Sequence, residues 1–148
     1  MTKIIKKDLY RYVGSSVNHF LVRWKMILFS PGCTFIYFLR KAQAKSIFHP
    51  FWNVCHRLWM WHTGIQIPVA TQIGEGFRIL HFGTIVINQE SVIGRNFNIA
   101  QGCLVGGNRG KKEGFPTIGD NVYMFANSIV VGGGESWKQR FDCSWCFL

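Results

Sequence analysis

The sequence predicts a mainly β fold, a parallel β-helix of hexapeptide repeats preceded by a small α-helical region. Three observations predict it. From Ile67 to Val131 an aliphatic residue returns about every six positions: Ile67, Ile73, Ile79, Ile85, then Ile87, Ile93, Ile99, Val105, then Ile118, Met124, Val130. Three of these precede glycine, at Ile73-Gly74, Ile93-Gly94 and Ile118-Gly119. Ahead of Ile65 the apolar residues recur instead at three- and four-residue spacing, as on one face of a helix. Period six suits neither an amphipathic helix nor an alternating strand. It suits a triangular coil in which each face is one short strand and a turn.

The helical region spans residues 1–64. Leu9, Val13, Val17, Phe20, Leu21, Trp24 and Leu28 share a helical face, which predicts a helix over residues 1–29. Pro31-Gly32 breaks it. A second helix is expected over Thr34 to Lys45, with Phe35, Phe38, Leu39 and Ala42 inward. After a break at His49-Pro50, a third runs from about Phe51 to His62, and Gly64 supplies its stop.

The β-helix is expected over residues 65–133. Three hexads make one coil, so landmarks should return every 18 residues or so. Ile73 and Ile93 are 20 apart, which implies two extra residues, placed near Asn88–Ser91. Ile93 and Ile118 are 25 apart, which implies seven more. These fall in the glycine- and charge-rich stretch Gly106 to Pro116, which cannot form a β-helix face and is expected as an extruded loop.

The chain has 148 residues, 48% of them hydrophobic, enough for one domain with a packed core. Its charge is uneven. Residues 1–64 carry 10 Lys and Arg against 1 acid, and residues 65–148 carry 7 against 6. A basic, aromatic-rich segment suits a solvated helical face, or peripheral contact with an anionic membrane or partner. No nucleic-acid-binding motif accompanies the charge. The most apolar run, Met26 to Leu39, is cut by Pro31-Gly32 and is too short to span a bilayer. Asp8, Tyr10, Arg11 and Tyr12 stand where a secretory apolar segment would begin. Five scattered cysteines argue against a disulfide framework, and the expected location is cytoplasmic.

The run I-G-E-G-F-R-I-L-H-F-G-T-I-V-I, then I-A-Q-G-C-L-V-G-G with its loop, then T-I-G-D-N-V, resembles the serine O-acetyltransferase branch of the hexapeptide-repeat acyltransferases. The resemblance implies a left-handed β-helix, assembly as a homotrimer, and transfer of acetyl from acetyl-CoA to a hydroxyl. It matches His81 to the family's catalytic histidine. Imidazole suits that role, because a hydroxyl must lose its proton as it attacks a thioester and a base with pKa of about 6.5 accepts it near neutrality. His81 is also the only histidine after His62. A lone histidine in a turn is ordinarily structural, but the motif around this one is local and ordered. Hexapeptide-repeat carbonic anhydrases bind metal through several histidines, and this stretch has one, so no metal is expected.

The remaining assignments rest on the same resemblance. Glu90 is a second catalytic candidate, as the group that orients His81. Gly106 and Gly107 let acetyl-CoA approach main-chain amides, the donors an oxyanion needs. Arg109, Lys111 and Lys112 suit CoA phosphates, or simply solvate the loop. Ala126 completes the cofactor-binding set. The chain departs from the family at three places. Gln66 stands where the family has the aspartate of V-D-I-H-P, Gln89 where it has a glutamate, and Gly114-Phe115-Pro116 where it has R-H-P. The resemblance implies L-serine as the acceptor, but charges suited to a free amino acid are lost, which points to the alternative, an acceptor without paired amine and carboxylate such as a sugar hydroxyl of a surface polysaccharide.

After Val131 the hexads stop. Residues 134–148 contain two tryptophans, a Cys143-Ser144-Trp145-Cys146 pair and a charge cluster. Reading back-translated codons one base along turns Gly134 onward into G-R-V-G-N-N-V-L-I-A-P-G-A, with V-G and I-A in hexad register. The tail is therefore read as a frameshifted end, its CxxC without a redox or metal role. The chain is expected to be a truncated transferase, with an inactive member of the family as the alternative.

Overall fold

The computed structural model describes residues 2–44, 46–108 and 113–133. Four α-helices lead into ten short strands: α1 (Lys3–Val13), α2 (Phe20–Phe29), α3 (Pro31–Gln43) and α4 (His49–Thr63), then β1 to β10 from Ile65 to Val131. The tail from residue 134, with its CxxC, lies outside the described residues. No helix among the described residues is long and apolar enough to cross a membrane.

The helix expected over residues 1–29 is two helices. Gly14 adopts φ +58, a conformation that favours glycine, and the chain passes through a 3₁₀ segment, Gly14–Asn18, before α2 begins. The interruption resets the helical phase. Leu9 and Val17 are buried, but Leu21, Trp24 and Leu28 face outward and Ile27 takes the inward position. The two expected proline breaks are helix starts. Pro31 and Pro50 sit in the first turns of α3 and α4, where a missing N–H costs nothing. Gly64 ends α4 at φ +70 and its N–H donates to the Met60 carbonyl.

The strands form three parallel sheets. The first is β1 (Ile65–Gln66), β4 (Ile85–Ile87), β7 (Leu104–Gly106) and β10 (Ile129–Val131). The second is β2 (Gln72–Ile73), β5 (Val92–Ile93) and β8 (Thr117–Ile118). The third is β3 (Arg78–Ile79), β6 (Asn98–Ile99) and β9 (Tyr123–Met124). Successive strands visit the three sheets in turn, so the chain winds into a three-faced left-handed prism. Every period-six residue from Ile67 to Val130 is buried inside it. Phe77 and Phe97 stack one coil apart at 5.9 Å. Asparagine holds the corners. Asn96 and Asn121 take positive φ above one another, and the Asn96 amide donates to Asn121 Oδ1 at 2.9 Å.

Register corrects the placement of the shorter insertion. Ile65 pairs with Ile85 and Ile87 with Val105, so Ile87, not Ile85, is the landmark below Ile67. Ile79 to Ile87 then takes eight residues where Ile99 to Val105 takes six, and Ile87 to Ile93 keeps the normal six. The two extra residues therefore lie in the turn from β3 to β4, residues 80–84, and not near Asn88–Ser91. The seven-residue insertion does fall between β7 and β8, in a segment of which residues 109–112 lie outside those described. Asn108 and Gly114 exchange backbone hydrogen bonds of 3.0 and 3.1 Å that close its neck.

Helices α1 and α3 cover the open edge of the first coil. Tyr12 OH both donates to the Ile79 carbonyl and accepts from the Ile79 N–H, each at 2.8 Å. Asp8 Oδ1 accepts the N–H groups of Gly76 and Phe77 at 2.7 and 2.9 Å. Arg40 donates to the carbonyls of Ile73 and Gly74, and Gln43 to those of Val69 and Thr71. Strand edges that would otherwise stand unpaired are thus satisfied by side chains. Gly32 makes the approach fit, since a Cβ there would stand 3.1 Å from the Ile79 carbonyl oxygen.

Candidate active site

The prism has three edges. One carries the β3–β4, β6–β7 and β9–β10 turns; another carries the turns that leave the first sheet for the second. His81 stands on the first of these, in the enlarged turn between β3 and β4. Its side chain is exposed, and among the described residues it makes no hydrogen bond or ion pair. Gly83, at φ +134, gives the turn a conformation other residues rarely adopt. A cleft of about 320 Å³ opens beside the histidine, between Leu80 and Phe82 on one side and Phe29, Ser30 and Pro31 on the other. A larger groove of about 640 Å³, between α4 and the Pro68–Ala70 turn, includes Gln89 but not His81. The smaller cleft is the candidate site, because it holds the histidine that the motif singles out.

Ala126 lies on the same edge as His81, two coils along. The edge below His81 carries the small residues Gly102 and Ala126 beside the exposed side chains of Gln101 and Phe125. Glu90 is elsewhere. It sits on the β4–β5 turn, at the other edge, and its bonds are local: its N–H donates to Asn88 Oδ1 at 2.9 Å and its carboxylate accepts from Gln89 Nε2 at 3.3 Å. Gly106 ends β7, and Gly107 begins the extruded loop at that same edge. A Cβ at Gly107 would come within 2.5 Å of the exposed Phe115 ring, which would have to turn aside. Arg109, Lys111 and Lys112 lie outside the described residues. Gln66 is exposed on β1. Within one chain, then, the fold brings His81 and Ala126 to one edge, and Glu90, Gly107 and the loop to another. Among the described residues no cluster of three or more His, Cys, Asp and Glu has the arrangement of a metal site.

Sequence reasoning missed Asp8 and Arg40, which position the first coil beneath the His81 turn. Their signal was Asp8 as the one acid in an otherwise basic segment.

No protein-family profile matches the chain. It is 32% identical over 115 residues to a serine acetyltransferase of Helicobacter pylori, covering 74% of this chain and 66% of that protein. It is 42% identical over 72 residues to a serine acetyltransferase of Staphylococcus epidermidis, covering 47% of this chain and 33% of that one. Over 69 residues it is 36% identical to an Escherichia coli K12 protein named as a putative colanic acid biosynthesis acetyltransferase, WcaB, covering 47% and 43%. Among solved structures, serine acetyltransferase isoform 3 of Entamoeba histolytica, in complex with cysteine, superposes with a TM-score of 0.70 at 24% identity, covering 99% of this chain and 59% of that one. The soybean serine acetyltransferase apoenzyme gives 0.66 at 25% identity, covering 85% and 52%. The chain spans less than two thirds of each of these relatives.

A helix-capped, three-faced prism of parallel strands defines a left-handed β-helix protein of the hexapeptide-repeat class. Within that class, this chain is a serine acetyltransferase-like hexapeptide-repeat protein.

Proposed function

We propose that the chain is an acetyl-CoA-dependent O-acetyltransferase in which His81 is the general base. The observation that carries this reading is the enlarged turn. The prism departs from its own pitch at the place where the lone histidine of the repeat region stands beside an open cleft. Acetyl-CoA supplies the thioester-activated acetyl group. The His81 imidazole takes the acceptor's hydroxyl proton as the new ester bond forms, and returns it to the departing thiolate. Backbone N–H groups are the available donors for the developing oxyanion.

The edge geometry supports a homotrimer. His81 and the extruded loop stand on different edges, so a site using both needs the loop of a neighbouring copy. Gly106 and Gly107, and the basic residues Arg109, Lys111 and Lys112, would then reach the co-substrate beside the neighbour's His81. The compartment proposed is the cytoplasm, in keeping with Cys33, Cys55 and Cys103, which are free thiols.

The acceptor is a hydroxyl compound, L-serine in the first reading. A second reading, a sugar hydroxyl of a surface polysaccharide, is favoured by neutral Gln66, Gln89 and Gly114-Phe115-Pro116 where the family has charged residues. The similarity to WcaB points the same way. Thiol release from acetyl-CoA, measured with L-serine and with nucleotide-sugar or glycan acceptors, tests both. Release with neither, or an unchanged rate in His81→Ala, rejects the proposal. A mass measurement in solution tests the trimer.

A further inference from the structure

Aromatic rings run unbroken across three helices. Phe20 and Trp24 of α2 meet edge to face at 6.1 Å, and Trp24 meets Tyr37 of α3 at 6.3 Å. Tyr37 meets Trp52 of α4 at 6.0 Å, and Trp52 meets Phe51 at 5.1 Å. The chain of rings is open to solvent, with Phe20 62%, Trp24 41% and Phe51 59% exposed. Cations lie on it. The Arg23 guanidinium is 5.8 Å from the Phe20 ring, and the Lys41 ammonium is 5.6 Å from Tyr37 and 5.2 Å from Trp52.

No acid of this region offsets those charges. Residues 1–64 contain one carboxylate side chain, Asp8, and it is fully buried against Arg40. The solvent-facing charge of the helices is therefore of one sign. Exposed aromatic rings flanked by Lys and Arg, with no carboxylate among them, match the interfacial zone of a bilayer that carries negative headgroups. A second copy of the same face would set cations against cations, so self-pairing is electrostatically opposed.

We infer that the aromatic and cationic face of α2, α3 and α4 docks peripherally on an anionic phospholipid bilayer. Phe20, Trp24 and Phe51 enter the headgroup zone, while Arg23 and Lys41 meet lipid phosphates. Helix α2 links this face to the candidate site. Its first residue is Phe20, and its last, Phe29, walls the His81 cleft. Ten helical residues span about 15 Å, so docking holds the cleft within about that distance of the membrane surface. The cleft's placement matters for catalysis only if the proposed acetyl transfer is correct; the docking itself does not depend on it.

The test is sedimentation of the full chain with vesicles of phosphatidylcholine and phosphatidylglycerol, against vesicles of phosphatidylcholine alone, at low and high salt. The expected result is binding to the anionic vesicles, at least about tenfold weaker on neutral ones and weakened by salt. The Trp24→Ser/Phe51→Ser pair should lower binding at least about tenfold with an unchanged far-UV circular dichroism spectrum. Should that pair fail to fold, Arg23→Gln/Lys41→Gln keeps every ring and should still reduce binding to the anionic vesicles. Val92→Ser, on the prism, should bind as the parent does. No binding to anionic vesicles overturns the inference, as does undiminished binding in the charge variant. Concentration-dependent self-association abolished by Trp24→Ser/Phe51→Ser also overturns it, by assigning the face to a second copy. None of these readouts depends on catalysis, so failure of acetyl transfer and failure of docking are told apart.

Discussion

Asp8 and Arg40 meet at 2.8 Å, with side chains 0% and 2% exposed, and together they bond four backbone groups of the first coil. Burial pushes the Asp8 carboxyl up, while Arg40 and the amides of Phe77 and Gly76 pull it back. Removing one partner leaves a charge uncompensated in the interior. Asp8→Ala should therefore cost about 3–5 kcal/mol, read from the urea midpoint. Replacing both residues, as Asp8→Leu/Arg40→Met, should not restore stability, because Ile73, Gly74, Gly76 and Phe77 would still lose their partners.

His56 predicts a pH dependence. It packs against Phe35 with ring centroids 5.1 Å apart, and burial pushes its pKa down to about 4. The unfolded chain takes up a proton near pH 6.5 and the folded chain does not. The associated stability is thus complete above about pH 6.5 and lost as pH falls toward 4. At 1.36 kcal/mol per pKa unit, the loss is about 3 kcal/mol at most. Denaturant unfolding at stepped pH should show that slope, and His56→Leu should remove it.

Gly74 predicts intolerance to the smallest side chain. A Cβ there would stand 2.6 Å from the Gly94 carbonyl oxygen, in backbone that cannot move without shifting a coil. Gly74→Ala should cost about 3 kcal/mol or lower the yield of folded protein, measured by thermal melting. Gly106→Ala meets nothing nearer than 3.8 Å and should be much milder.

His81→Ala should lower acetyl transfer by about 10²–10⁴-fold with an unchanged melting temperature, since the exposed histidine supports no packing. Deleting Phe82 and Gly83 restores a six-residue step at that turn. The shortened protein should keep its β-helix circular dichroism and lose transfer. Retained transfer would show that the enlarged turn does not serve the chemistry.

Much of this architecture was legible in the sequence, for a physical reason. An isoleucine that points into a narrow prism has no alternative environment, so Ile67, Ile73, Ile93 and Ile118 recur with the coil. The insertion after β7 was legible because a glycine- and charge-rich stretch cannot form a face of the coil, although Gly106, expected in the loop, ends β7. The shorter insertion was misread because residues two apart on a strand point the same way. Ile85 and Ile87 are both buried, and a count of six from Ile79 lands on the wrong one. The N-terminal helix boundaries were misread because Phe20, Leu21, Trp24 and Leu28 continue an apolar face that turns outward once Gly14 resets the phase. The candidate site residues could be named from the motif but not placed as neighbours. Sequence order places Glu90 nine residues from His81, while the winding carries it to another edge.

The side-chain cover over the first coil also bears on the order in which the protein is made. Coil-to-coil pairing is local to adjacent turns of the solenoid, so each new coil can add to the one before it. The first coil has no predecessor. Its partners are Asp8, Tyr12, Arg40 and Gln43, up to 69 residues away in sequence. Closing such a loop has to precede any reward from it. The slow event in folding should therefore be the docking of α1 and α3 onto Ile73–Ile79, after which later coils grow outward as a crystal grows from its seed.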